Sequence, residues 1–156
     1  MNTFGEDEAE IKRTVDAYIK KSKKQERLKE KQNYNCRFQT LSLLLEHYPE
    51  YPAGSRKKEF IDYIVERHSL AYREGITEEF YKVRHNLLVC RFMLLKPMQE
   101  KEICQRLGIT RVTYERNLKK GIAELMIHKY LKWSRGLYFV PVFRFRDSKA
   151  DILPFD

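Results

Sequence analysis

The sequence predicts a mainly α-helical protein, a helical bundle with room for one short β-hairpin near the C-terminus. Three observations predict it. Six glycines and five prolines in 156 residues leave few breakers and no long irregular loops. Apolar residues recur at intervals of three and four over most of the chain, the period of a helix with one buried face. Only near the end, in KWSRGLYFVPVFRF (132–145), does the composition turn to β type.

The elements follow in order. Residues 1–10 carry Glu6, Asp7, Glu8 and Glu10 and read as a disordered acidic N-terminus. Residues 11–70 read as a basic helical region, free to dimerise or to meet a partner. Within it, Ile11, Val15, Tyr18 and Ile19 form a short apolar stripe. Nine basic residues (Lys12, Arg13, Lys20, Lys21, Lys23, Lys24, Arg27, Lys29, Lys31) face three acids as far as Lys31, the composition of a solvated helix or an arm that tracks phosphates. A second helix is expected from Cys36 to Tyr48 on Phe38, Leu41, Leu44, Leu45 and Tyr48, stopped by Pro49. Ser55 can cap a third, containing Phe60, Ile61, Ile64 and Val65. Thr77, backed by Glu78 and Glu79, starts another that is apolar as far as Leu95, with Pro97 at its end or at the beginning of the next. Residues 76–131 read as one unit, and 132–156 as a short β-hairpin, a wing beside the helices, with a tail, or else as a tail that packs its aromatics onto the helices; Pro141 confines any strand to an edge.

Hydrophobic residues make up 42% of the chain, enough for a core, and the net charge is +9. That excess favours a polyanionic partner, nucleic acid before an anionic membrane; the plainer use of the lysines is solubility. No stretch approaches the roughly 18 apolar residues of a membrane span, and the acidic start lacks a secretory layout. Cys36, Cys90 and Cys104 are odd in number and widely spaced, which suits a reducing cytoplasm better than disulfides or zinc.

The most informative stretch is KEICQRLGITRVTYERNLKKGIAEL, Lys101 to Leu125. A helix-turn-helix needs an apolar and then a small residue on its first helix, a turn residue that tolerates positive φ, an apolar plug, and a second helix with one buried stripe. Ile103 and Cys104 supply the first pair. Leu107 closes the helix, Gly108 takes the positive φ, Ile109 is the plug and Thr110 caps the second helix. Tyr114, Leu118, Ile122 and Leu125 form the expected stripe. The polar face carries Arg111, Thr113, Glu115, Arg116, Asn117, Lys119 and Lys120. Arginine can take guanine bidentately and asparagine adenine, while threonine can touch bases or phosphate. The expected DNA-binding residues are therefore Thr110, Arg111, Thr113, Arg116, Asn117, Lys119 and Lys120, with the two lysines on the backbone. A helical hairpin with an ordinary polar outside satisfies the same pattern.

The segment EICQRLGITRVTYERNLKKGIAEL resembles the promoter-reading helix-turn-helix of sigma factor region 4, usually E-I-A-x-x-L-G-[IV]-[ST]-x-x-T-[VY] before a helix ending in Leu. Cys104 stands where alanine is usual, and both are small. Through length, helical content and domain order the chain is also similar to small phage-encoded regulators of the ArpU type. The resemblance implies control of late phage genes, RNA polymerase as a second partner, and Thr113 and Arg116 as contacts. There is no counterpart of the region that melts promoters and binds the polymerase clamp, which argues against a full sigma factor.

Other chemistry finds little support. His47, His68, His85 and His128 are scattered in sequence, without the convergent spacing of a metal site. Glu66-Arg67-His68 reads as an exposed helix end. No phosphate loop, nucleophile elbow or HExxH motif occurs. The expectation is a cytoplasmic, sequence-specific double-stranded DNA-binding regulator, without catalytic residues, metal or cofactor, for which a homodimer is one available state. The alternative is a phage DNA-packaging adaptor, similar to a small terminase subunit, using the same reader. A nucleic-acid enzyme and a protein-interaction module are more distant rivals.

Overall fold

From Glu6 to Tyr48 the sequence contains neither glycine nor proline, and the consequence is one uninterrupted helix, α1 (Thr3–Glu46). The chain is described here through a computed structural model covering residues 3–73, 79–127, 131–135 and 139–143. Two sequence expectations give way at α1. Residues 3–10 are helical and not disordered: Glu6 sits in the first turn of α1, where an acid favours a helix N-terminus. The break expected between Lys31 and Cys36 is absent too. The apolar stripe ends there, but loss of a stripe is not a breaker, and lysine, glutamate and glutamine are good helix formers.

After α1 come a 3-10 turn (Tyr48–Glu50) and the helices α2 (Arg56–Arg73) and α3 (Glu79–Leu88). A π-helical turn (Val89–Met93), α4 (Glu100–Leu107) and α5 (Arg111–Met126) follow, and then the strands β1 (Leu131–Arg135) and β2 (Phe139–Phe143). Ser55 caps α2 as expected, its hydroxyl accepting from the Lys58 amide at 3.3 Å. The proposed start at Thr77 and Glu78 lies outside the described residues. Among the described residues no helix is long and apolar enough to cross a membrane.

The chain divides into two compact units, Met1–Asn35 and Cys36–Asp156. Among the described residues, the second contains every buried residue of the core. The boundary drawn near residues 70–76 does not separate two cores, since Leu41, Leu45, Phe60, Ile61 and Ile64 share one cluster with Leu88, Phe92, Ile122 and Leu125. A smaller cluster joins Leu87, Met98, Ile103 and Tyr114. Leu118, expected in the α5 stripe, is partly buried and packs against both.

The apolar run from Phe80 to Leu95 is not one α-helix. α3 ends at Leu88, the π turn carries Phe92 into the core, and Leu94 is extended at φ −76° and ψ 153°. Pro97 disfavours helical backbone at Lys96, so no helix resumes directly after that exit. The Met98 amide then donates to the Cys90 carbonyl at 3.0 Å.

The strands pair antiparallel, with Leu131 opposite Phe143 and Trp133 opposite Pro141. In a two-stranded sheet each strand is an edge, the setting in which proline is tolerated. Leu131 is buried in the main core, and Trp133 packs against it.

Candidate nucleic-acid interface

The candidate interface is the outer surface of α5, and the turn before it fixes how that surface is presented. Gly108 has φ +66° and ψ +36°, left-handed as expected for the residue between the two helices. From it the Ile109 amide donates to the Cys104 carbonyl at 3.0 Å, and Ile109 packs against the cluster containing Ile103 and Tyr114. Thr110 then caps α5, its hydroxyl accepting from the Thr113 amide at 3.2 Å. The capped helix buries Tyr114, Asn117, Gly121, Ile122, Leu125 and Met126.

The seven expected contact residues divide. Arg111, Arg116, Lys119 and Lys120 are exposed. Thr110 is exposed but occupied as the cap, and it also donates from its hydroxyl to Thr113 Oγ1 at 3.0 Å. Thr113 is half-buried beside it. Asn117 is the correction. It is only 3% exposed, and its Nδ2 donates to the Thr113 carbonyl at 2.8 Å. Its place three residues after Tyr114 and five before Ile122 turns it into the packed side of α5 and not toward a groove. An asparagine reads as polar, hence outward, unless the helical angle is weighed above side-chain polarity.

The angle also shows what polarity concealed. Val112 is 65% exposed and shares one face with Arg116 and Lys119, at spacings of four and three. An apolar side chain there suits contact with a thymine methyl. The sequence signal was present, since Val112 falls off the 114–118–122–125 stripe. Arg111 is held by Glu100 at 3.2 Å and by Glu115 at 3.4 Å. Those groups are all substantially exposed, so the pairs are weak and easily exchanged for phosphate. An open groove of about 620 Å³ lies beside the turn, lined by Glu100, Lys101, Cys104, Gln105, Ile109 and Arg111 among others. Burial pushes the Tyr114 phenol above its usual range, with the Arg91 cation acting in the opposite sense.

Behind this face, α5 is pinned by polar contacts unforeseen in the sequence. Glu124 pairs with Arg84 of α3 and lies 3.3 Å from Nε2 of His68 on α2. The His68 and His85 rings stack with centroids 5.8 Å apart. Two histidines read as scattered thus meet between helices, and His68, expected at an exposed helix end, is buried. Among the described residues no group of His, Cys, Asp or Glu is arranged to hold a metal ion.

On β1, Lys132 and Arg135 are exposed and Trp133 packs against the core. Compared with protein-family models, curated proteins and solved structures, the chain matches none.

Proposed function

We propose that this chain is a sequence-specific double-stranded DNA-binding regulator that reads the major groove with α5. One observation carries the reading. An N-capped helix follows a left-handed glycine turn, and its outer face presents Val112, Arg116, Lys119 and Lys120 while the opposite face is buried. In the proposed assignment, α4 and α5 form a helix-turn-helix in which Arg116 and Val112 address base edges, with Arg111 and Thr113 near the groove wall. Lys119, Lys120 and the cap at Thr110 hold phosphates. Lys132 and Arg135 of the β-sheet reach the backbone as a wing. The four cations at 111, 116, 119 and 120 outnumber the two carboxylates that face them, Glu100 and Glu115, which supports an anionic partner.

The resemblance of Glu102 to Leu125 to sigma region 4 extends the proposal to RNA polymerase as a second partner, to phage or mobile-element origin and to a cytoplasmic site of action. No catalytic step is assigned.

The test is selection from random duplex DNA by the full chain, then titration of the enriched and a scrambled duplex at two salt concentrations. A motif bound at least about 10³-fold more tightly than scrambled DNA is expected. Binding without enrichment would transfer the reading to a DNA-packaging adaptor. Absence of binding at both salts would reject DNA as the partner.

A further inference from the structure

The unit Met1–Asn35 is helical over its described residues and contributes no buried residue to either core cluster. On its surface, positions four apart read Asp7, Ile11, Val15, Ile19 and Lys23. The three aliphatic members are 63%, 49% and 44% exposed in chain order, and Tyr18 beside them is also exposed. Each step of four turns about 40° around the axis, so Ile11, Val15 and Ile19 form one apolar strip about 80° wide, with acids N-terminal to it and lysines C-terminal to it along the helix.

The strip is complementary to its own reverse. Turned end for end about Val15, Ile11 meets Ile19 and Val15 meets Val15, while the acidic turn around Asp7 comes level with the basic turn around Lys23. The same operation runs the acids Glu6, Asp7, Glu8 and Glu10 alongside Lys20, Lys21, Lys23 and Lys24. Those segments lie within the roughly 8–10 Å over which exposed charges attract at ordinary salt. Parallel pairing would set acid on acid and lysine on lysine. A residue pattern that is its own complement under a two-fold operation is the requirement of an isologous interface.

We infer that α1 pairs antiparallel with α1 of a second copy, about a two-fold axis at Val15. The apolar strip forms the centre of the contact and the opposite charges fix its direction. A DNA strand fits the acidic first turns poorly, and an anionic membrane would meet four carboxylates beside the strip. The pairing does not depend on what α5 binds.

The experiment measures the mass of the full chain in solution without DNA, by sedimentation. The wild-type chain is expected as a dimer and Val15→Glu as a monomer, with a dissociation constant raised at least about 100-fold. Val15 is exposed, so unchanged helicity by circular dichroism separates dissociation from misfolding. Direction is read by cysteine cross-linking in a Cys36→Ser background, which removes the exposed native thiol. Val15→Cys is expected to form disulfide-linked dimers. Lys29→Cys is expected to form none, since two copies of that position stand about 42 Å apart, roughly 28 residues at 1.5 Å each. Cross-linking at both positions would indicate a parallel pair and overturn the inference. So would a monomeric wild-type chain, including one captured by vesicles of anionic lipid, or a Val15→Glu variant that remains a dimer.

Discussion

Gly121 of α5 lies against Leu88 of α3, so closely that a Cβ on the glycine would stand 3.2 Å from Leu88 Cδ1. Leu88 is fully buried in the main core and has little freedom to retreat. In an open helix Gly→Ala gains roughly 0.5–1 kcal/mol. Here Gly121→Ala is expected to cost about 1 kcal/mol, and Gly121→Leu up to about 3 kcal/mol, because overpacking outweighs propensity. Urea unfolding of both variants checks this; a stabilised alanine variant would show that the contact yields.

Gly108 presents a different constraint. Its φ of +66° is left-handed, but the space around it is open, and a Cβ there would meet no atom within 4 Å. Only backbone strain opposes a side chain. Gly108→Ala should lose about 1–2 kcal/mol of stability, and Gly108→Asn less, since asparagine tolerates that region better. The order of the two melting temperatures is the readout.

Arg116 and Asn117 are neighbours in sequence but have opposite surroundings. Arg116→Ala should leave stability within about 0.5 kcal/mol, cost about 1–3 kcal/mol of binding to the selected duplex and relax base preference. Asn117→Ala should destabilise the fold by about 1–2 kcal/mol through its lost hydrogen bond and leave base preference unchanged. Lys120→Ala should weaken all duplexes alike and lower the salt slope by about one. Equal losses on selected and random DNA for Arg116→Ala would remove it from base recognition.

Glu124 joins three helices through Arg84 and His68. Its removal takes away the carboxylate that pairs with the Arg84 cation. Glu124→Ala is expected to cost about 2 kcal/mol or more, short of the roughly 3–5 kcal/mol of a fully buried pair because Glu124 remains partly accessible. A denaturation midpoint equal to that of the wild-type chain would refute this role.

Tyr48 supplies a pH signature. Burial first, then its hydrogen bond to Asp62 and that carboxylate's charge, push its phenol up to about 12 from the ordinary 10. The folded state therefore holds the phenolic proton more tightly than the unfolded state. The stabilisation is complete below about pH 10 and is lost as the pH rises toward 12. The stability difference between the wild-type chain and Tyr48→Phe should be constant over roughly pH 7–9 and should shift against the wild type above about pH 10. A difference that stays constant to about pH 12 would contradict it.

Local rules carried the elements whose cause is local. Gly108, Thr110 and Ser55 act on their own backbone, and each is found in its expected role. The apolar intervals of α2 and α5 likewise need only the helical period, and Phe60, Ile61, Ile64, Tyr114, Ile122 and Leu125 are all buried. The continuous α1 is legible as well, in the want of any breaker from Glu6 to Tyr48, since an apolar pattern that fades does not end a helix.

The tertiary structure decided what depends on residues far apart in the chain. Asn117 turned inward because α5 must bury a side wider than its aliphatic stripe, and Val112 was left outside by the same rotation. His68, Arg84, His85 and Glu124 became one cluster only when α2, α3 and α5 packed together, since 56 residues separate His68 from Glu124. Helical periodicity orients a side chain about its own axis. The apolar interval marks the side that is buried, but which residues of other helices meet that side is settled by packing, and no interval within a single helix encodes them.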